Sequence, residues 1–253
     1  MYEVTALRYG TRTTRKSECY YRWSSYDEPD AEIGMDYFFW VLRNGDATIV
    51  VDTGFSPGSG ARRGRTMLCP PVDALRRIGV EPESVETVVL THLHYDHTGN
   101  VDAFPAAELA VQRRELEFWM SPEAKEPRHA AVVEPAEIDR ITAAALRLLD
   151  GDGEIASGID AICVGGHSPG QTVLLVEGKD GPVVLASDAI HYYEELELER
   201  PFEIFHDLNA MVEGYRTLRR LAELPGAVLV PGHDPEVMRR FSIIDGGLGV
   251  AIQ

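Results

Sequence analysis

The stretch Leu90-Thr91-His92-Leu93-His94-Tyr95-Asp96-His97 places three imidazoles and a carboxylate within six positions, directly after a β-branched run over 85–90. That run reads as a buried strand, so the histidines stand in the loop at its C-terminal end, where α/β sheets collect their chemistry. In extended backbone, residues two apart face the same side, so His92 and His94 can grip one ion while a turn swings Asp96 and His97 toward a neighbouring one. A zinc-like ion takes about four ligands, with one position open to water if it is catalytic. The remaining ligands must therefore come from elsewhere. Gly166-His167-Ser168-Pro169-Gly170 and Pro231-Gly232-His233-Asp234 each follow an apolar run, and their glycines let the backbone bend sharply and present an imidazole. Asp188 follows the apolar run 183–186, where an unpaired carboxylate is costly to bury. Its two oxygens can bridge two cations about 3.5–4 Å apart. Asp52, in what reads as a matching position, is expected to form its turn or to support a ligand.

Outward from this cluster, strand-like runs at 37–42 and 47–51 flank Asn44-Gly45 as a hairpin, and the second closes on Asp52-Thr53-Gly54. A Gly-, Pro- and Arg-rich loop is expected over 53–71, then a short helix carrying Val72, Leu75 and Ile78 and stopped by Gly79. Residues 122–135 read as an irregular insertion. Ile138, Ile141, Ala145 and Leu148 follow at helical spacing. A second hairpin is expected from 172–176 and 183–186 across Gly178-Lys179-Asp180-Gly181. A last long helix carries Leu208, Met211, Tyr215, Leu218 and Ala222, and a short strand over 228–230 leads to His233. Each half thus has a hairpin ending in an acidic turn and a later strand delivering histidine, which suggests two similar β-rich layers sandwiched by helices.

The chain has 253 residues, 44% hydrophobic and 26% charged, enough for one α/β domain over 1–253 with a sizeable core. Its net charge of −17 argues against a nucleic-acid partner. The one concentrated basic stretch, Arg62, Arg63 and Arg65, reads as a solvated loop, with attraction of an anionic substrate as the other reading. Cys19, Cys69 and Cys163 are widely spaced and without a CxxC pair, so neither a disulfide framework nor a thiolate metal site is expected. With no leader-like apolar segment and no window long enough to span a bilayer, a cytoplasmic protein without a membrane partner is expected.

The pattern His92-x-His94-x-Asp96-His97, followed by His167, Asp188 and His233, resembles the metallo-β-lactamase superfamily, and Asp52-Thr53-Gly54 extends the similarity into the first half. The resemblance implies an α/β (α+β) fold, a four-layer αβ/βα sandwich with two Zn2+ ions, or Fe, Mn or Co in one or both sites, at one edge. Within that superfamily the chain is similar to the N-acyl-homoserine lactonases, which open the lactone ring of quorum-sensing signals. Tyr95 between His94 and Asp96, and the turns around His167 and His233, carry this similarity. It implies that His92, His94 and His167 hold one ion, that Asp96, His97 and His233 hold the other, and that Asp188 bridges. It also implies that a hydroxide between the ions attacks a lactone or ester carbonyl, with Asp96 passing a proton to the leaving alkoxide. In those lactonases a tyrosine three residues after the bridging aspartate polarises the carbonyl. Here that place is His191, followed by Tyr192 and Tyr193. His191 or Tyr192 is expected to act as the donor instead. A thioesterase or another ester hydrolase of the same fold and a mononuclear iron persulfide dioxygenase share the motif and stand as alternatives. A homodimer is expected through the aromatic segment 20–26.

Overall fold

The computed structural model describes residues 1–45 and 47–253. Its strands are β1 (Glu3–Arg15), β2 (Glu32–Asn44), β3 (Ala47–Val51), β4 (Thr66–Met67), β5 (Thr87–Val89), β6 (Glu108–Gln112) and β7 (Ala145–Leu149), then β8 (Gly153–Ala156), β9 (Ile159–Cys163), β10 (Thr172–Glu177), β11 (Pro182–Ser187), β12 (Val228–Pro231), β13 (Ser242–Ile244) and β14 (Gly249–Ala251). They form two sheets. One runs β13-β14-β1-β2-β3-β5-β6-β7 with β4 on the flank of β1, and the other runs β12-β11-β10-β9-β8.

Strand β2 explains the layering. Residues 35–42, Met-Asp-Tyr-Phe-Phe-Trp-Val-Leu, are buried on both faces, the signature of a strand covered on each side. Phe38, Trp40 and Leu42 join Val4, Ala6 and Val51 of their own sheet and Leu174, Val176, Val183 and Leu185 of the other in one core, so this layer lies between the sheets. The alternate residues Tyr37, Phe39 and Val41 belong to a second core with Leu75 of the helix Pro71–Arg77 and Ile138 and Ile141 of the helix Pro135–Ala143. On the other sheet, Val173, Val184 and Ala186 pack in that same core with Met211, Tyr215 and Leu218 of the helix Leu208–Ala222. Helices therefore cover the outer faces of two stacked sheets, as the four-layer sandwich requires.

Both expected hairpins form, with Trp40–Asn44 pairing against Val51–Ala47 and Leu174–Glu177 against Leu185–Pro182. Each is extended by a parallel strand that leads to ligand residues: β5 beside β3, and β12 beside β11. Two expectations need correction. Ala145 and Leu148 do not continue the helix, which ends at Ala143; extended backbone at Ala144 turns the chain into β7, parallel to β6. The 53–71 stretch contains a helix, Pro57–Arg62, capped by the Ser56 side chain accepting from Ser59 N, and the short strand β4. The aromatic segment 20–26 is exposed only in part, with Tyr20 and Trp23 buried within the chain and Tyr21 and Tyr26 half-buried. The three cysteines are free, and among the described residues no helix is long and apolar enough to cross a membrane.

Candidate metal centre

All seven expected ligands converge at the edge where β5, β11 and β12 end. His92, His94, Asp96, His97, His167, Asp188 and His233 are each less than a tenth exposed. Extended backbone at His94 and the helical turn Tyr95–Thr98 divide the histidine motif as its spacing implies. One group of mutually close donor atoms comes from His92, His94 and His167, another from Asp96, His97 and His233. Asp188 stands between them. Its Oδ2 lies 3.9 Å from His92 Nε2 and 3.4 Å from His167 Nε2, and its Oδ1 lies 3.4 Å from His97 Nε2 and 3.1 Å from His233 Nε2.

The glycine turns have a steric reason. A Cβ on Gly232 would sit 2.6 Å from Asp188 Oδ1, and Gly166, at φ +90°, would put one 2.5 Å from the Met211 backbone.

The imidazoles are aimed by acceptors behind them. His97 Nδ1–H donates to Asp52 Oδ2 at 2.7 Å, His167 Nδ1–H to Ile204 O at 2.9 Å, and His233 Nδ1–H to Asp36 O at 2.8 Å. Carboxylate and carbonyl oxygens only accept, so these three rings carry a proton on Nδ1 and turn Nε2 inward. Thr91 Oγ1 gives its single proton to Asp52 Oδ2 at 2.8 Å, which leaves it to accept from His92 Nδ1 at 3.3 Å. His94 presents Nδ1, 2.9 Å from His167 Nε2.

Burial, with the neighbouring imidazoles His97 and His94, holds His92 well below the usual histidine range, and burial depresses His94 to about 4. His167 is lowered well below that range by burial and by His94. These rings are neutral at pH 7 and ready to ligate. Burial opposes charge on His97 too, but Asp188 and Asp52 overcome it and raise that ring well above the usual range.

The donor set fits cations. His92 Nε2, His97 Nε2 and Asp188 Oδ1 are buried, face the centre and have no hydrogen-bond partner, an arrangement that costs free energy unless a cation satisfies it.

The two candidate donors after Asp188 part company. His191 Nε2 is 3.1 Å from Asp188 Oδ2, its Nδ1 is 3.3 Å from Glu195 Oε1, and its ring stacks on Phe202 at 3.4 Å. Burial disfavours its charge, but Asp188 and Glu195 raise it to about 9. Tyr192 is extended rather than helical, so its hydroxyl points elsewhere and donates to Gly34 O at 3.1 Å. A cavity of about 260 Å³ opens over the cluster, lined by Asp96, Asp188 and His191 and by Tyr37, Tyr95 and Phe202. Larger cavities of about 380 and 430 Å³ lie elsewhere and contain none of the clustered histidines.

Two buried carboxylates outside the ligand set position the segments that carry it. Glu115 is fully buried and accepts from Leu93 N at 3.0 Å, Gly170 N at 2.5 Å and Trp119 Nε1 at 2.6 Å, tying the His92–His94 loop to the His167 turn. Glu195 Oε1 likewise accepts from His191 N at 2.6 Å and Tyr192 N at 3.0 Å.

Residues 36–233 match the family model of the metallo-beta-lactamase superfamily. An N-acyl homoserine lactonase of Bacillus sp. is 27% identical over 226 residues, covering 83% of this chain and 86% of that protein. The N-acyl homoserine lactonase AttM of Azorhizobium caulinodans is 30% identical over 187 residues, covering 69% and 68%. Among solved structures, a quorum-quenching N-acyl homoserine lactone lactonase superposes with a TM-score of 0.81 over 96% of both chains at 24% identity, a likeness of fold. With two stacked sheets, a clustered His/Asp centre at their edge and a family match spanning 36–233, the chain belongs to the metallo-beta-lactamase superfamily.

Proposed function

We propose that the protein is a binuclear metal-dependent hydrolase that opens a lactone ring, with N-acyl homoserine lactones, the substrates named for its relatives, as the first class to test. The observation that supports this most is the grouping of ligands around Asp188: two three-residue donor groups on either side of one shared carboxylate, beneath a cavity of about 260 Å³. His92, His94 and His167 would hold one ion, Asp96, His97 and His233 the other, and Asp188 both.

Two such ions, zinc or another divalent metal, supply Lewis acidity and lower the pKa of bound water. The chain's own groups do the rest. Asp96 lines the cavity with its carboxylate, while its carbonyl is pinned by the Tyr9 hydroxyl at 2.7 Å; this suits it to pass a proton to the leaving alkoxide. His191 lines the same cavity, and we assign its Nε2–H, 3.1 Å from Asp188 Oδ2 and released where that oxygen would ligate a cation, as the donor to the carbonyl oxygen, with Nδ1 facing Glu195. Charge grows on that oxygen in the transition state, and a fixed donor there contributes roughly 3 kcal/mol. The commitment of the Tyr192 hydroxyl to Gly34 favours His191 over Tyr192.

The test is a hydrolysis screen of metal-loaded protein on lactones, thioesters and simple esters, with elemental analysis. Lactone turnover at two metals per chain is expected. Thioester turnover alone, or one retained iron with oxygen uptake, would overturn it.

A further inference from the structure

The cavity wall carries two positive charges that the chemistry above does not use. Antiparallel pairing of Gly10 with Met67 and Thr11 with Thr66 brings the next residue, Arg65, alongside Arg12, and both side chains line the cavity over the metal centre. Like charges side by side across strands are destabilising. Neighbouring arginines have ion-pair partners: Arg8 has Asp36 at 3.2 Å, Arg15 has Asp30 at 2.5 Å, and Arg62 and Arg63 share Glu134 at 2.7 and 2.5 Å.

Arg12 and Arg65 have no such partner among the described residues. Arg12 Nε donates to Met35 Sδ at 3.2 Å; Arg65 donates through Nε to the Tyr95 hydroxyl at 3.0 Å and through Nη1 to Arg63 O at 2.7 Å. These contacts fix the guanidinium groups without cancelling their charge. Both side chains are half-buried, so solvent screens them only in part. In a chain of net charge −17, two guanidinium groups without an ion-pair partner among the described residues stand out on the wall of the reaction cavity.

We infer that Arg12 and Arg65 form a subsite for a carboxylate carried by the substrate, so that this protein prefers lactones or esters with a free acid group away from the scissile carbonyl. Guanidinium groups match carboxylates with paired N–H donors. The fixed distance between that subsite and the metal centre would then orient the carbonyl. The inference rests on the hydrolase proposed above.

The experiment compares kcat/KM for a γ-lactone bearing a side-chain carboxylate with that for its primary amide, using metal-loaded wild type, Arg12→Gln and Arg65→Gln. Charge-assisted hydrogen bonds are strong enough for a preference of about tenfold or more for the acid, reduced at least fivefold in each variant. Equal kcat/KM for acid and amide in the wild type, with hydrolysis intact, overturns the subsite and leaves the hydrolase standing. If neither lactone is turned over, the proposed hydrolase fails, and calorimetry with glutarate and its monoamide, each offering one carboxylate to the metals, still decides the subsite. Tighter glutarate binding that Arg12→Gln and Arg65→Gln abolish upholds it, and indistinguishable binding removes it.

Discussion

Replacing Asp52 by asparagine tests whether the metal centre depends on how its imidazoles are aimed. Asp52 is fully buried at φ 62°, a left-handed conformation that asparagine also adopts, so the backbone should be kept. Its Oδ1 accepts from Thr91 N at 2.8 Å, and its Oδ2 accepts from Thr91 Oγ1 at 2.8 Å and His97 Nδ1 at 2.7 Å. An amide has one acceptor end. With the oxygen kept on Thr91 N, the new NH₂ faces His97 Nδ1 and drives the ring proton to Nε2, the nitrogen that lies 3.4 Å from Asp188 Oδ1. A protonated Nε2 cannot ligate. Flipping the amide opposes two donors at Thr91 N instead. Loss of such a supporting contact typically weakens metal binding 10–100-fold, or about 1.4–2.7 kcal/mol. Zinc titration against a competing chelator, with circular dichroism to confirm the fold, should show one of the two ions weakened by that factor. Two ions held at wild-type affinity, with unchanged turnover, would refute the orienting role of Asp52.

Further outcomes follow from other residues. Chelation should lower Tm, because His92 Nε2, His97 Nε2 and Asp188 Oδ1 would be left buried without partners; an unchanged melting curve would count against a cation there. Glu115→Gln removes one of two acceptor oxygens shared among Leu93, Gly170 and Trp119 and should cost roughly 1–3 kcal/mol in urea unfolding, with a wild-type midpoint as the contrary result. Gly232→Ala forces a methyl to within 2.6 Å of Asp188 Oδ1 and should cut metal content in a chain that still folds; full occupancy would contradict the close approach. Burial pushes the Glu137 carboxyl up to about 7, against the Thr98 hydroxyl bond that lowers it. A raised folded-state value stabilises fully below the ordinary 4.5 and is lost as pH rises through about 7. Glu137→Gln should therefore flatten the fall in Tm between those pH values, and an unaltered slope would place its origin elsewhere.

What the sequence made legible was local. The period of two at His92 and His94, the turn after them, and glycines flanking His167 and His233 are contained in a few residues each, and all these side chains meet. Glu115 acts across the fold on the backbone N–H groups of Leu93 and Gly170, so nothing beside it marks its role, whereas Glu195 accepts from His191 N and Tyr192 N at the start of its own helix and reaches across the fold only to the Tyr215 hydroxyl. Strand β1 escaped because its second half, Thr11-Arg12-Thr13-Thr14-Arg15, has no apolar alternation; Arg12 there lines the cavity instead of a core. The helical period carried through Ala145 and Leu148 failed because a short strand buried on few positions can imitate a spacing of three. Whether Tyr192 reaches the cavity depends on where the helix after Asp188 begins; it begins at Tyr193, and the extended backbone at Tyr192 turns that side chain away.

The half-to-half echo holds in the structure with a shifted alignment, and the shift explains the division of labour between the two aspartates. At the C-terminal end of each hairpin's second strand stands a residue with positive φ: Asp52, just after β3, at 62°, and Ser187, the last of β11, at 46°. Both of those residues bond the same hydroxyl, Thr91 Oγ1, at 2.8 Å. Asp52 therefore corresponds to Ser187, and Asp188 to Thr53, one residue further on. That single step sends the two carboxylates to opposite ends of one ring, with Asp52 taking His97 Nδ1 at 2.7 Å from behind and Asp188 Oδ1 lying 3.4 Å from His97 Nε2 on the inner side. One half thus aims the imidazole and the other supplies the acceptor between the two ligand groups. Moving the carboxylate back by one position, as Ser187→Asp with Asp188→Ser would, would put it on Thr91 and leave the centre without its shared ligand.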